Sequence, residues 1–206
     1  MNRRDLLMGA ATLLLVRDAL AQGGVRQGVA RVRGAATING QRAKQGMAVR
    51  AGDTVAAAKG GEIAFVVNQD AMLLRQSSTV SLVQGGLRLV TGALLAVFAP
   101  RQQLEVRTPT ATVGIRGTAV YLEAEPGRTY VCTCYGEAVL EPVDDPAARE
   151  TVRTTHHEQP RYIMARGAPR MVVPAPVQNH SDAELELLES LVGRKPPFAG
   201  KGSRRY

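Results

Sequence analysis

The chain has 206 residues, 45% of them hydrophobic, 21% charged and 4% aromatic, with no tryptophan. That is the composition of an ordinary globular domain with an appendage, and it excludes a disordered or collagen-like chain. The formal charge is +8, yet only Lys44, Lys59, Lys195 and Lys201 are lysines, and the arginines are scattered along the whole chain. With five tyrosines and three phenylalanines there is little stacking surface, so nothing marks a nucleic-acid-binding protein.

The N-terminus carries Arg3-Arg4, an apolar run from Leu6 to Val16 and the small-x-small site Ala19-Leu20-Ala21. This is the pattern of a secretory signal peptide cleaved after Ala21. The run is shorter than the roughly 20 apolar residues a membrane-spanning helix needs. Paired arginines followed by Leu6-Leu7 resemble the twin-arginine export signal, with an ordinary secretion signal as the alternative. Residues 1–21 contain three arginines and two aspartates, so their removal lowers the charge from +8 to +7. The mature chain is expected in the periplasm, with no transmembrane segment.

From residue 25 to about 164 the sequence breaks into short apolar or alternating runs separated by glycine-containing turns. That rhythm describes an all-β fold, an antiparallel β-sandwich or roll of many short strands. Strands are expected at 28–32, 36–38, 62–67, 72–75, 80–82, 87–90, 93–98, 104–107, 118–123, 129–134, 138–141 and 161–164. Asn39-Gly40 is a two-residue hairpin signal, because both central positions of a type I′ turn need positive φ. Residues 144–157 are polar and contain Pro146, and are expected to form a loop or a short excursion rather than core. Pro169, Pro174 and Pro176 mark an extended crossing segment. Ser181-Asp182-Ala183-Glu184 then reads as a capping box. Leu185, Leu188, Leu191 and Val192 follow at helical spacing, and Gly193 with Pro196-Pro197 stops the turn. This one C-terminal amphipathic helix is expected to dock on the β-domain through its leucines. The expected organisation is thus a signal at 1–21, a β-domain at 22–142, a proline-rich extension at 143–180 and a helix with a basic tail at 181–206.

Three stretches carry a family resemblance. Residues 46–55, Gly-Met-Ala-Val-Arg-Ala-Gly-Asp-Thr-Val, resemble a G-x-x-V-x-x-G-D-x-V segment, and residues 87–97 resemble an L-x-x-G-x-x-x-V strand pair. The most specific is residues 106–120, from Val106 through Thr108-Pro109 and Arg116-Gly117-Thr118 to Val120. It is similar to V-x-T-P-x-A-x-x-x-V-R-G-T-x-x-x-V. Together these resemble the FecR domain family, β-rich periplasmic modules known from the anti-sigma sensor of iron-citrate uptake, over about residues 28–142. The resemblance implies a scaffold or interaction module rather than an enzyme. A sensor of that type has an anti-sigma segment and a transmembrane helix ahead of the domain. Here a removable signal is expected instead, so direct signalling across the membrane is not expected of this chain. Its Asn68-Gln69-Asp70-Ala71 stands where the family usually has an Asp-Gly-Ser turn.

The same residues have local physical roles. Pro109 fixes φ and keeps Thr108 extended. Gly117 is expected to take a backbone conformation, or allow an approach, that a side chain would forbid. Arg116 is expected to cap a turn or face solvent.

Both cysteines fall in Thr129-Tyr130-Val131-Cys132-Thr133-Cys134-Tyr135. Residues two apart in a strand share a face, so Cys132 and Cys134 present two sulfurs side by side. All three histidines, His156, His157 and His180, lie downstream, whereas residues 22–131 contain neither cysteine nor histidine. These are suitable ligands for copper, zinc or iron. His156 and His157 cannot both point inward from an extended backbone, so one of them together with His180 is expected at such a site. A Cys132–Cys134 disulfide and an inert core pair are the alternatives. No catalytic constellation is recognisable: there is no Gly-x-Ser-x-Gly elbow and no phosphate-cradling loop, and Glu184, Glu186 and Glu189 read as solvated helix residues. The expected function is a non-catalytic binding or accessory module of the bacterial envelope, in sensing, transport or assembly, with a protein or glycan partner. The alternative is a periplasmic metal-binding protein, including a metal-dependent enzyme.

Overall fold

The structure, a computed structural model, describes residues 26–100 and 104–200. The expected export signal and the end of the basic tail lie outside the described residues. The first strands are β1 (Gly28–Arg33), β2 (Ala36–Ile38), β3 (Gln41–Arg42) and β4 (Thr54–Ala57). The hairpin β5 (Glu62–Val67) and β6 (Asp70–Leu74) follows, then β7 (Ser78–Val83), β8 (Gly86–Val97) and β9 (Leu104–Arg107). Two long strands, β10 (Ala111–Glu125) and β11 (Arg128–Pro142), precede the short β12 (Glu150–Thr154), β13 (Arg161–Met164) and β14 (Val172–Pro174). The helix α1 (Asp182–Leu191) closes the order. The fold is all-β with one C-terminal helix, as the turn rhythm predicts.

The strands join into one open sheet in the order β14-β13-β11-β10-β9-β8-β7-β4-β2-β3, with β1-β5-β6 branching from β8 and β12 lying on β11. The pairings are antiparallel except β8 with β9, which is parallel. That exception follows because β8 and β9 are each antiparallel to β10, and β8 is long enough to be flanked twice. Its first half lies between β7 and β9, and its second half between β6 and β10.

Strand alternation sorts the side chains into two cores. Ile63 and Phe65, Met72 and Leu74, Leu94 and Ala96, Val120 and Leu122, and Val131 face the inside of the roll. Their neighbours Ala64 and Val66, Ala71 and Leu73, Leu95 and Val97, Ala119 and Tyr121, and Tyr130, Cys132 and Cys134 face outward. The outward face would meet water were α1 not laid over it. Leu185 and Leu188 are fully buried there, and each contributes about 1.5–3 kcal/mol relative to exposure. Ser181 caps α1, its N–H donating to Glu184 Oε2 at 2.9 Å.

The sequence rhythm misplaces several boundaries, and glycine is the reason. Gly117 and Gly136 fall at the expected strand breaks before 118 and after 134, yet they sit inside β10 and β11 with φ of 55° and 90°, the conformation expected of Gly117. The β10–β11 register shifts between Arg116 and Ala119, so these are bulges that bend long strands rather than end them. A Cβ on Gly117 would come within 2.9 Å of Pro100 Cα. Arg116 faces solvent and pairs with Glu137 at 3.6 Å. Beside the bend that Pro109 sets, the Thr108 and Thr110 hydroxyls each lie 2.7 Å from the Thr129 hydroxyl, a buried polar tie between β10 and β11.

Two expectations are corrected. The polar segment 144–157 is not all loop: Glu150–Thr154 forms β12 on the edge of β11, where alternate side chains meet water and so can be polar. Glu189 is not solvated. It is buried between the Tyr135 hydroxyl and Arg194 Nε, because the chain after α1 folds back and tucks Phe198 under the helix. Glu186 is exposed as expected, and Glu184 is half-buried.

Candidate metal centre

The free edge of β11 is shared by two short strands. β12 pairs with residues 136–140 and β13 with residues 128–131. Residues 155–160 therefore cross the gap between them, over Cys132 and Cys134. Two hydrogen bonds pin this crossing: Thr154 Oγ1 donates to the Thr133 carbonyl at 2.6 Å, and the His157 N–H donates to the Cys134 carbonyl at 3.0 Å. His157 has φ of 63°, an uncommon conformation for a side-chain-bearing residue, and its ring turns inward.

His180 arrives from the other side. The preceding segment is held to β10 by Glu123, whose carboxylate accepts from Gln178 Nε2 at 3.0 Å and Asn179 Nδ2 at 2.7 Å. The His180 ring stacks on Tyr121 with centroids 4.7 Å apart. Its Nε2 lies 3.0 Å from His157 Nδ1, which is 3.3 Å from Cys132 Sγ. The two sulfurs and one nitrogen from each of His157 and His180 all lie within 4.8 Å of one another. None of the four residues is more than 3% exposed.

His156 stays outside this group, although the backbone at His157 is not extended and both rings reach the same carboxylate. Its Nε2 meets Asp182 Oδ1 at 2.9 Å and its ring stacks on Phe198. Asp182 also meets His157 Nε2 at 3.2 Å. The sequence reading missed this carboxylate, because as the second residue of a capping box it had a sufficient role already. Its one signal was its position two residues after His180. Tyr121 was missed as well.

The electrostatics of the two sulfurs diverge. Burial opposes charge on Cys132, but its hydrogen-bond contacts with Cys134, His157 and His180 outweigh it and hold that thiol well below the usual range. Burial pushes the Cys134 thiol well above it, and the neighbouring Cys132 adds to the effect. Both cysteines are free thiols. Thiolate and imidazole together suit zinc, copper or iron. All four donor residues are buried and close together, which suits a resident ion.

Among known proteins, the family FecR protein matches residues 63–139, which include both cysteines but none of the histidines. No curated protein matches the chain. Two crystal structures of a "putative anti-sigma factor" from Parabacteroides distasonis ATCC 8503 are similar, each at 10% identity and a TM-score of 0.48 over 59% of this chain. The chain spans 58% of the length of each. Residues 63–139 are thus similar to the FecR protein family.

Proposed function

We propose that the chain is an exported FecR-type module of the bacterial envelope that acts by binding a protein partner in sensing or regulation, without catalysis. The FecR match over residues 63–139 carries this reading. The sealing of the Cys/His centre supports the non-catalytic part, since a catalytic metal site keeps a position open to substrate or water. Arg3-Arg4, the apolar run and Ala21 support export to the periplasm with cleavage after Ala21, by the twin-arginine route or the general one. We read 22–142 as the β-domain and 143–180 with 181–206 as an extension, whose described residues include the segments over the outer face. No helix among the described residues is long and apolar enough to cross a membrane.

The test is made in cells producing the full chain with a photo-cross-linking amino acid at Val83, Val90 or Val143, three exposed apolar positions. The reading expects a periplasmic protein beginning at Gln22 and a discrete adduct with one envelope protein. An uncleaved cytoplasmic chain, or the absence of an adduct from all three positions, would overturn it.

A further inference from the structure

The geometry points to one resident divalent metal ion, zinc by its donor chemistry, held by Cys132 Sγ, Cys134 Sγ, His157 Nδ1 and His180 Nε2. Each ring is set from its far side. His180 Nδ1 lies 2.6 Å from the Gln178 carbonyl oxygen. A carbonyl only accepts, so Nδ1 carries the proton and Nε2 carries the lone pair. His157 Nε2 lies 3.2 Å from the Asp182 carboxylate. The same logic puts a proton on Nε2, which in the neutral ring leaves the lone pair on Nδ1. The two lone pairs therefore face each other at 3.0 Å, beside a sulfur at 3.3 Å.

Between two neutral rings such an arrangement is repulsive, and a cation between the donors relieves it. A shared proton would relieve one pair of atoms, whereas a metal ion satisfies all four. Outer nitrogens tied to a carboxylate and a backbone carbonyl are also the usual outer shell of metal-bound histidines, fixing tautomer and ring orientation.

The spacing fits. Tetrahedral zinc, with bonds of about 2.0 Å to nitrogen and 2.3 Å to sulfur, places its donors about 3.3–3.8 Å apart. Here the donors already lie within 4.8 Å of one another, so small side-chain rotations close the shell. Charge selects the ion. Two thiolates neutralise a divalent cation, leaving a neutral complex in a site with almost no solvent. Copper(I) would leave a net negative charge there, beside the fully buried Asp182.

The ion would also join two parts of the chain. Both sulfurs belong to the FecR match, and both nitrogens come from residues beyond it. The metal thus clamps the crossing segment and the start of α1 to the outer face of the sheet. This site stands independently of the partner-binding role proposed above.

The experiment is a cobalt(II) titration of the reduced, metal-free full chain, followed by zinc displacement and by equimolar competition between zinc and copper(I). One equivalent of cobalt is expected to give the absorption of a tetrahedral thiolate site, and one equivalent of zinc to bleach it. Cys134→Ser and His180→Gln are expected to lose that spectrum, and His156→Gln to retain it at one equivalent. The spectrum of the unaltered chain decides the matter should a variant fail to fold. No tetrahedral spectrum, loss of the site in His156→Gln, or a preference for copper(I) in the competition would overturn the proposal.

Discussion

Asp182 Oδ1 accepts from two imidazoles at once, His156 Nε2 at 2.9 Å and His157 Nε2 at 3.2 Å. Asp182 is the first residue of α1 and has no exposed surface. Its charge is supported by the helix N-terminus, where backbone N–H groups point outward. One carboxylate therefore links the helix to the orientation of the His157 ring.

Replacing Asp182 with Asn would keep the shape and remove the charge that fixes the His157 tautomer. Zinc affinity is expected to fall about 10–100-fold, as for other outer-shell partners of metal-bound histidines. Competition with a chromophoric chelator measures it. An affinity equal to that of the unaltered chain would show that Asp182 serves the helix alone.

Metal removal should lower stability, because an ion that binds only the folded chain adds about 2.7 kcal/mol at a free concentration 100 times its dissociation constant. Calorimetry of the reduced chain with and without a chelator is expected to show a lower melting temperature without metal. Hydrogen exchange is expected to show the largest loss of protection at residues 155–160 and at the start of α1. Equal protection in both states would contradict the clamp.

Gly117→Ala places a Cβ 2.9 Å from Pro100 Cα on a backbone with φ of 55°. The strain is expected to cost roughly 1–3 kcal/mol, read as a lower urea midpoint with an unchanged slope. A neutral substitution would mean that the bulge can relax.

This bulge also shows where the sequence is legible and where it is not. Asn39-Gly40 announces the β2–β3 hairpin because two positive-φ positions have few other uses, and both are observed at 50° and 79°. Ser181 and Gly193 announce both ends of α1 through capping chemistry that is local in sequence. The boundaries beside Gly117 and Gly136 mislead because a bulge and a strand end ask the same of glycine. Only the partner strand, distant in sequence, decides between them. β12 is hidden for a related reason: on a sheet edge, Thr151 and Arg153 face water and the apolar signal shrinks to Val152. At the candidate centre, the strand period of two is enough to make Cys132 and Cys134 neighbours on one face. Which histidine joins them is not encoded so simply. It depends on residues 155–160 filling the gap between β12 and β13, and on a positive φ at His157.

Leu188→Ala removes a fully buried side chain between α1 and the outer face of the sheet. A loss of about 2–5 kcal/mol is expected on chemical denaturation, the range for large-to-small changes in a packed core. Far-UV circular dichroism should remain that of a β-protein. Loss of the sheet signal as well would show that the β-domain depends on the helix for folding.

The most direct measurement is zinc-edge X-ray absorption on the full chain purified under reducing conditions. The expected result is stoichiometric zinc with two sulfurs at about 2.3 Å and two nitrogens at about 2.0–2.1 Å. A first shell of nitrogen and oxygen alone, or a folded chain carrying no stoichiometric zinc, would contradict the clamped Cys/His centre.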